Sequence, residues 1–331
     1  MILPELLQLS SSYWSTCTLH AGVKLDLFTL LAEAPMTVPE LARSVKANER
    51  GLAMLLNALV AMELLEKAAD RFAATGVSAE YLSKASPAYM GHIIMHHHFL
   101  VEGWSKLDQA VKTGTPVRRR SSHDADGLER ESFLLGMFNL ASMLAPGLAA
   151  EIDLGGRRRL LDLAGGPGTY AIYFCKQNPE LTAVIYDLPT TRPFAEQTVA
   201  NFGLTERIAF VAGDIVVDRI GTGFDVVWIS HLLHSEGPET CAAILAKAAA
   251  ALNEGGLLLI QEFILDDSRD APLQPALFSL NMLIGTPAGQ SYAQGELCDL
   301  MTQAGLRDVK RLAISLPNGA GIMAGIRSLA I

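Results

Sequence analysis

One stretch constrains the chain more than any other: Arg159-Leu-Leu-Asp-Leu-Ala-Gly-Gly-Pro-Gly-Thr-Tyr-Ala171. The apolar run 160–164 reads as a short buried strand. It breaks into Gly165, Gly166, Pro167 and Gly168, and a helical pattern follows from Thr169 to Gln177. Strand, glycine turn and helix form the unit with which an open parallel sheet presents a nucleotide-like ligand at its carboxyl edge. Glycines let the backbone approach such a ligand without a Cβ clash, and Thr169 is placed as a helix N-cap. Gly166, Gly168 and Ala171 also satisfy G-x-G-x-x-A. On these residues alone a dinucleotide fingerprint, and with it a nicotinamide dehydrogenase, stays open, as does a plain packing turn.

Three further apolar runs each end in polar residues. Tyr186-Asp187-Leu188-Pro189 closes the run 183–186, where an acid can take both hydroxyls of a ribose. Gly213-Asp214-Ile215 follows the run 208–211 and offers a polar group with an apolar cover for an adenine ring. The run 224–229 ends in Ser230-His231-Leu232-Leu233-His234. In this order the motifs resemble the class I S-adenosylmethionine-dependent methyltransferases. More narrowly, the chain is similar to the small-molecule O-methyltransferases with an N-terminal winged-helix dimerisation domain, a family of plant caffeate and flavonoid, acetylserotonin and bacterial natural-product enzymes. The likeness spans nearly the whole chain.

The resemblance implies an α/β fold with a Rossmann-like seven-stranded sheet, a homodimer, S-adenosyl-L-methionine as methyl donor, S-adenosyl-L-homocysteine as product, and no metal. The acceptor it implies is a hydroxyl of a small aromatic, phenolic molecule. Carried over residue by residue, the cofactor would meet Gly165, Gly166, Gly168, Asp187, Leu188, Asp214, Ile215 and Ser230, with Asp162 supporting the glycine turn. His234 falls on the family's general base and Glu262 on its supporting acid. A phenol, pKa ~10, is a poor nucleophile until deprotonated, and an imidazole, reference pKa ~6.5, is available as a base at pH 7. Phe138, Asn139, Met143, His231, Met282 and Ser291 are the implied pocket residues.

Two departures stand out. The family base is commonly followed by Asp-Trp, whereas Ser235-Glu236 follows here. A second acid commonly sits in a Gly-x-Glu-Arg-Thr loop, and this chain has Gly289-Gln-Ser-Tyr-Ala293. They keep open an alternative on the same scaffold: N- or C-methylation, or a non-methylating reaction.

The N-terminal part reads as a separate, mainly helical domain, residues 1–110. Apolar spacing predicts a helix over 13–31, ending before Pro35. Thr37, Pro39 and Glu40 spell a capping box, and Asn48 caps a helix over 49–62. The runs 64–67 and 71–74 read as a two-stranded wing. A winged helix suggests a DNA-binding regulator that senses a ligand. Its would-be recognition helix, Arg50 to Met62, carries one Arg and no Lys, which suits subunit contact better than a major groove. The net charge of −9, with only 18% charged residues in 331, also argues against a nucleic-acid partner.

His92 and His96–His98 invite a metal reading, but lack a companion carboxylate or thiol at ligand spacing, so they read as helix surface and pocket wall. Arg118–Arg120 reads as a solvated loop and 121–127 as a polar loop. Linking helices are assigned to 111–152, with a long one over 128–152 broken near Pro146. The domain 153–331 then alternates strands with helices over 238–252 and 294–304. Its last strands, 257–263, 309–314 and 321–328, end in an antiparallel hairpin. Cys17, Cys175, Cys241 and Cys298 form no CxxC pair and read as reduced thiols. With no signal sequence and no uninterrupted apolar run of ~18 residues, the expectation is a soluble cytoplasmic protein away from membranes.

Overall fold

The computed structural model describes residues 1–125 and 127–328. The chain divides into two units: Met1–Val101 with 127–139, and Glu102–Ala125 with 140–328. The long helix therefore contributes to both units, and residues 102–125 return to the second.

In the first unit, β1 (Met36–Thr37), β2 (Leu65–Ala68) and β3 (Arg71–Ala74) form a small sheet in the order β1-β3-β2. Helices α1 (Leu3–Ser11), α2 (Tyr13–Lys24), α3 (Leu27–Glu33), α4 (Val38–Val45), α5 (Glu49–Ala61) and α6 (Gly76–Tyr81) surround it, followed by α7 (Gly91–Trp104). The caps form as the sequence spells them. Thr37 Oγ1 accepts from the Glu40 N–H at 3.4 Å, the Glu40 carboxylate accepts from the Thr37 N–H at 2.8 Å, and Asn48 caps α5. Leu27, Phe28, Leu41, Leu56 and Leu59 are fully buried at the centre. The single helix expected over 13–31 is instead two, because Asp26 adopts a left-handed φ of 58° and turns the chain between them.

His20 is buried here against His98, their ring centroids 5.6 Å apart. Burial, with His98 and His97 adding to it, pushes His20 down to about 4. Unfolded, a histidine binds its proton near pH 6.5, so between about 6.5 and 4 the unfolded chain holds the extra proton. Stability is therefore full above that window and falls as pH drops through it, by about 3 kcal/mol at most. Urea titrations at pH 7 and pH 4.5 should show this loss, and His20→Leu should flatten it.

The second unit starts with α8 (Leu107–Thr113) and α9 (Ser121–Asp124), the latter a short helix where a polar loop was expected. Next comes α10 (Gly127–Glu151), unbroken through Pro146. By length and composition α10 could cross a membrane, but Ala145, Leu148 and Ala149 belong to a buried core cluster. The sheet comprises β4 (Arg159–Leu163), β5 (Thr182–Asp187), β6 (Ile208–Ala212), β7 (Phe224–Ser230), β8 (Leu252–Leu265), β10 (Leu306–Arg311) and β11 (Ala320–Arg327). They run in the order β10-β11-β8-β7-β4-β5-β6, and the two-residue β9 (Tyr292–Ala293) pairs with β8. Strands β4 to β8 are parallel neighbours and β11 runs antiparallel between β8 and β10. This is the seven-strand path with a terminal hairpin that the alternation implied. Helices α11 (Thr169–Gln177), α12 (Arg192–Asn201), α13 (Pro238–Ala251), α14 (Leu273–Gly285) and α15 (Gln294–Gln303) complete the unit. Near-continuous apolar strands such as β7, with Val226 to Ile229 fully buried, are what covering on both faces requires. Asp225 pins the sheet's lower end: its carboxylate accepts from the N–H groups of Arg158 and Arg159.

Candidate active site

All four strand-end motifs come together at the carboxyl edge of β4, β5, β6 and β7, which the parallel registers place side by side. After β4 the chain turns through left-handed φ at Ala164 (55°), Gly166 (56°) and Gly168 (79°). A Cβ on Gly168 would lie 2.3 Å from Ile185 Cδ1, so glycine is demanded there by packing as well as by φ. A Cβ on Gly166 would meet nothing within 4 Å, which leaves open space beside its backbone. Gly168, not Thr169, occupies the N-cap of α11; Thr169 is its first residue and is buried.

Asp162 lies below this turn. One oxygen accepts from the Ala171 N–H at 3.2 Å, while its buried Oδ1 has no hydrogen-bond partner. Burial pushes its carboxyl up to about 7. Asp187, at the end of β5, knits the edge together: Oδ2 accepts from the Gly166 N–H at 2.7 Å, and Oδ1 from the Leu188 N–H at 2.7 Å and the Thr191 hydroxyl at 2.9 Å. Burial raises its carboxyl above the ordinary aspartate range despite these three donors. Thr191 had no signal in the sequence, since its role depends on the turn after Pro189. At the end of β6, Asp214 accepts from the Val216 N–H at 2.8 Å. Ile215 packs into the sheet core, 8% exposed, so most of its side chain faces inward. The Ser230 hydroxyl reaches Gln261 Oε1 at 3.4 Å. Open backbone at Gly166, an orphaned buried oxygen on Asp162 and a carboxylate at the β5 edge fit a ribose-bearing ligand.

Beyond β7 the 3₁₀ turn Leu233–Ser235 carries His234, whose Nδ1 lies 2.8 Å from Glu262 Oε2 on β8. Glu262 Oε1 also accepts from the His234 N–H at 3.3 Å. Complete burial works to raise the Glu262 carboxyl, but His234 and His231 more than offset it and hold it well below the usual range. An ionised acceptor fixes the proton of His234 on Nδ1 and leaves Nε2 as a lone pair. His231 adopts a left-handed φ of 52°, and its Nδ1 stands 3.6 Å from the same Glu262 oxygen. Such backbone strain concentrates at functional sites. The aromatic rings of Phe263 and Phe278, neither flagged by the sequence, enclose the two imidazoles: His231–Phe263 4.6 Å, Phe263–Phe278 4.7 Å and Phe278–His234 4.7 Å between centroids. Their apolar rings shield the His234–Glu262 hydrogen bond beneath them. Among the described residues, His231, His234 and Glu262 are the group of histidines and acids whose donor atoms converge within 4.8 Å; the histidines 92 and 96–98 form no such group.

The remaining pocket assignments fare unevenly. Met282 is buried on α14, one turn beyond Phe278. Ser291 does not line a pocket: it is fully buried and its hydroxyl donates to the Pro275 carbonyl at 2.8 Å. Met143 is 67% exposed in the single chain. Asn139 spends its amide on the Tyr89 carbonyl at 2.9 Å, and Phe138 is half-buried on the same helix. The altered loop also makes a backbone contact. A Cβ on Gly289 would sit 2.5 Å from the His234 carbonyl oxygen, so the loop packs directly on the turn that carries His234.

Comparison with known proteins shows the family. Residues 105–307 match the O-methyltransferase domain and residues 7–84 the O-methyltransferase dimerisation domain. The chain is 35% identical to 3-hydroxy-5-methyl-1-naphthoate 3-O-methyltransferase of Streptomyces sahachiroi, over 98% of this chain and 96% of that one. It is 30% identical to the tetracenomycin polyketide synthesis 8-O-methyl transferase of Streptomyces glaucescens, over 96% and 95%. The crystal structure of human N-acetylserotonin methyltransferase in complex with SAM superposes with a TM-score of 0.86 at 25% identity, covering 98% and 97% of the two chains. The chain belongs to the S-adenosylmethionine-dependent O-methyltransferases that carry an N-terminal dimerisation domain.

Proposed function

We propose that this enzyme methylates a hydroxyl of a small aromatic natural product, with His234 as general base. The observation that carries the reading is the 2.8 Å pair between His234 Nδ1 and the buried, ionised Glu262, at the edge where the glycine turn and Asp187 lie. When bound, S-adenosylmethionine supplies a methyl group already activated by its sulfonium. The protein's own task is to align the acceptor and take its proton. His234 Nε2 accepts that proton, and Glu262 stabilises the imidazolium and holds the ring in orientation, as the acid of a triad does. Asp187 holds the ribose hydroxyls, Gly166 leaves its backbone open to close approach while Gly165 and Gly168 shape the turn, and Leu188, Asp214 and the exposed edge of Ile215 flank the adenine. Ser230 lies beside the cofactor, and His231 and Met282 face the acceptor.

The protein acts as a homodimer through its first unit. Leu3, Leu6, Leu7, Tyr13 and Trp14 on α1 and α2 are each more than half exposed in the single chain, a surface that a second copy would cover. Among the relatives, one is named for a hydroxynaphthoate and one for a polyketide, which supports a fused-ring phenol as acceptor.

Incubating the enzyme with methyl-labelled S-adenosylmethionine and 3-hydroxy-5-methyl-1-naphthoate, beside a panel of phenols, anilines and carboxylates, tests this. Label should appear on a phenolic oxygen of at least one compound. Transfer to nitrogen or carbon alone would overturn the reading.

A further inference from the structure

The polar stretch Arg118–Arg120 reads in sequence as a solvated loop, and the structure gives one of its arginines a different place. The Arg120 guanidinium is largely buried, its side chain 22% exposed. Nη2 donates to Glu236 Oε1 at 2.6 Å and to Ser235 Oγ at 2.9 Å. These are the two residues directly after His234, the pair that stands where the resembling family commonly has Asp-Trp. Ser235 passes the contact on: its hydroxyl donates to the Leu232 carbonyl at 2.7 Å, closing the 3₁₀ turn from the side, while the turn's own Ser235 N–H bonds the same carbonyl at 3.0 Å.

Glu236 is gripped at both ends. Its carboxylate meets Arg120, and its main-chain carbonyl accepts from the Tyr292 hydroxyl at 2.6 Å. Tyr292 is the residue that replaces an arginine in the altered second-acid loop. The two departures from the family pattern are thus joined through one residue.

Arg120 is itself pinned on both sides. Upstream, the N–H groups of Val117 and Arg118 donate to the Ile284 carbonyl at the end of α14, at 3.0 and 3.1 Å. Downstream, the Arg120 N–H and Nε donate to Asp124 and Ser122 at 3.0 and 3.1 Å on α9. A long side chain anchored this way loses little further freedom on pairing, and a shielded charge-assisted pair is stronger and more directional than a surface one.

We propose that Arg120 is a positioning residue for methyl transfer, which holds the His234 turn in register through Ser235 and Glu236. It touches neither Glu262 nor the imidazole, so its effect falls on the placement of His234. The inference rests on His234 acting as the base, and its test separates the two.

In full-length protein carrying ¹⁵N-labelled histidine, the His234 Nδ1–H signal, assigned by its loss in His234→Gln, should be slow to exchange with water. In Arg120→Met it should exchange at least about tenfold faster, and kcat on the best phenolic acceptor should fall about 10–10²-fold, the scale set by a ~1 Å misplacement. The KM for S-adenosylmethionine should stay near wild type, and Arg120→Lys should restore part of both losses. Glu236→Leu should reproduce the fall, and the double variant Arg120→Met/Glu236→Leu should be no worse than the poorer single, because it leaves no unpaired charge. Unchanged exchange and kcat in a folded Arg120→Met, or strictly additive losses in the double variant, would overturn the proposal. If wild type turns over and His234→Gln turns over equally well, the base assignment fails instead, whatever Arg120→Met shows in the exchange measurement.

Discussion

His234→Ala should bind S-adenosylhomocysteine like wild type by calorimetry and lose about 10²–10⁴-fold in kcat, the range that a positioned general base contributes. The structure keeps two jobs on different strands. Asp187 and the glycine turn sit at the ends of β4 and β5, while His234 and Glu262 hang from β7 and β8. Removing the imidazole leaves the former untouched. Glu262→Gln is the companion variant, and it is preferred to alanine because truncation would leave the buried His234 Nδ1–H without its acceptor. The amide keeps the size of the acid but not its charge. The imidazolium that forms after proton transfer then loses its counter-ion, and the Nδ1 proton loses its strongest reason to stay on that nitrogen. The expected outcome is a fall in kcat approaching that of His234→Ala, with cofactor affinity preserved. A His234→Ala enzyme that still turns over at the wild-type rate would mean that alignment alone drives transfer to an acceptor already ionised at the working pH.

Much of this arrangement is legible in the sequence because it rests on local rules. Short apolar runs that end in Gly, Asp or Ser fix strand ends, and the order of those ends fixes which residues share an edge of a parallel sheet. Capping chemistry is equally local, so the helix starts at Val38 and Glu49 came out in place. What stayed hidden depends on distance along the chain or on context. Arg120 meets Glu236 across 116 positions, and nothing in the composition of a serine- and arginine-rich stretch says that a guanidinium will be buried there. Ser291 looked like a pocket residue because its neighbours in the family pattern are; its orientation follows from α14, an apolar helix without the boundary signals that would announce it. Asp26 breaks a helix by taking a left-handed φ that asparagine-like side chains tolerate, whereas Pro146 sits inside one that continues through it. The first follows a local tolerance that apolar periodicity does not register, and in the second the buried packing of Ala145, Leu148 and Ala149 outweighs the propensity of one proline.

Asp187→Ala carries the other large effect, this time on binding. Two hydrogen bonds from a ribose diol to an ionised acceptor are worth about 1.5–3 kcal/mol each, so S-adenosylhomocysteine should bind about 10²–10⁴-fold more weakly. The variant also strips an acceptor from the Gly166 N–H at 2.7 Å and from the Thr191 hydroxyl at 2.9 Å, which loosens the glycine turn that the ligand must approach. Asp187→Asn removes the charge and keeps one acceptor: its carbonyl oxygen can take the Gly166 N–H, while its NH₂ faces the Leu188 N–H that had bonded Oδ1 at 2.7 Å. The raised carboxyl of Asp187 adds a condition on stability. A carboxyl that burial holds above its unfolded value is one whose ionised form the fold tolerates at a cost, and relief of that cost offsets part of what the lost Oδ1 acceptor costs in Asp187→Asn. Asp187→Asn is therefore expected to melt within a few degrees of wild type without ligand, and to lose most of the Tm rise that S-adenosylhomocysteine gives wild type. A lower ligand-free Tm with undiminished affinity would reassign Asp187 from holding the ligand to holding the β5 edge alone.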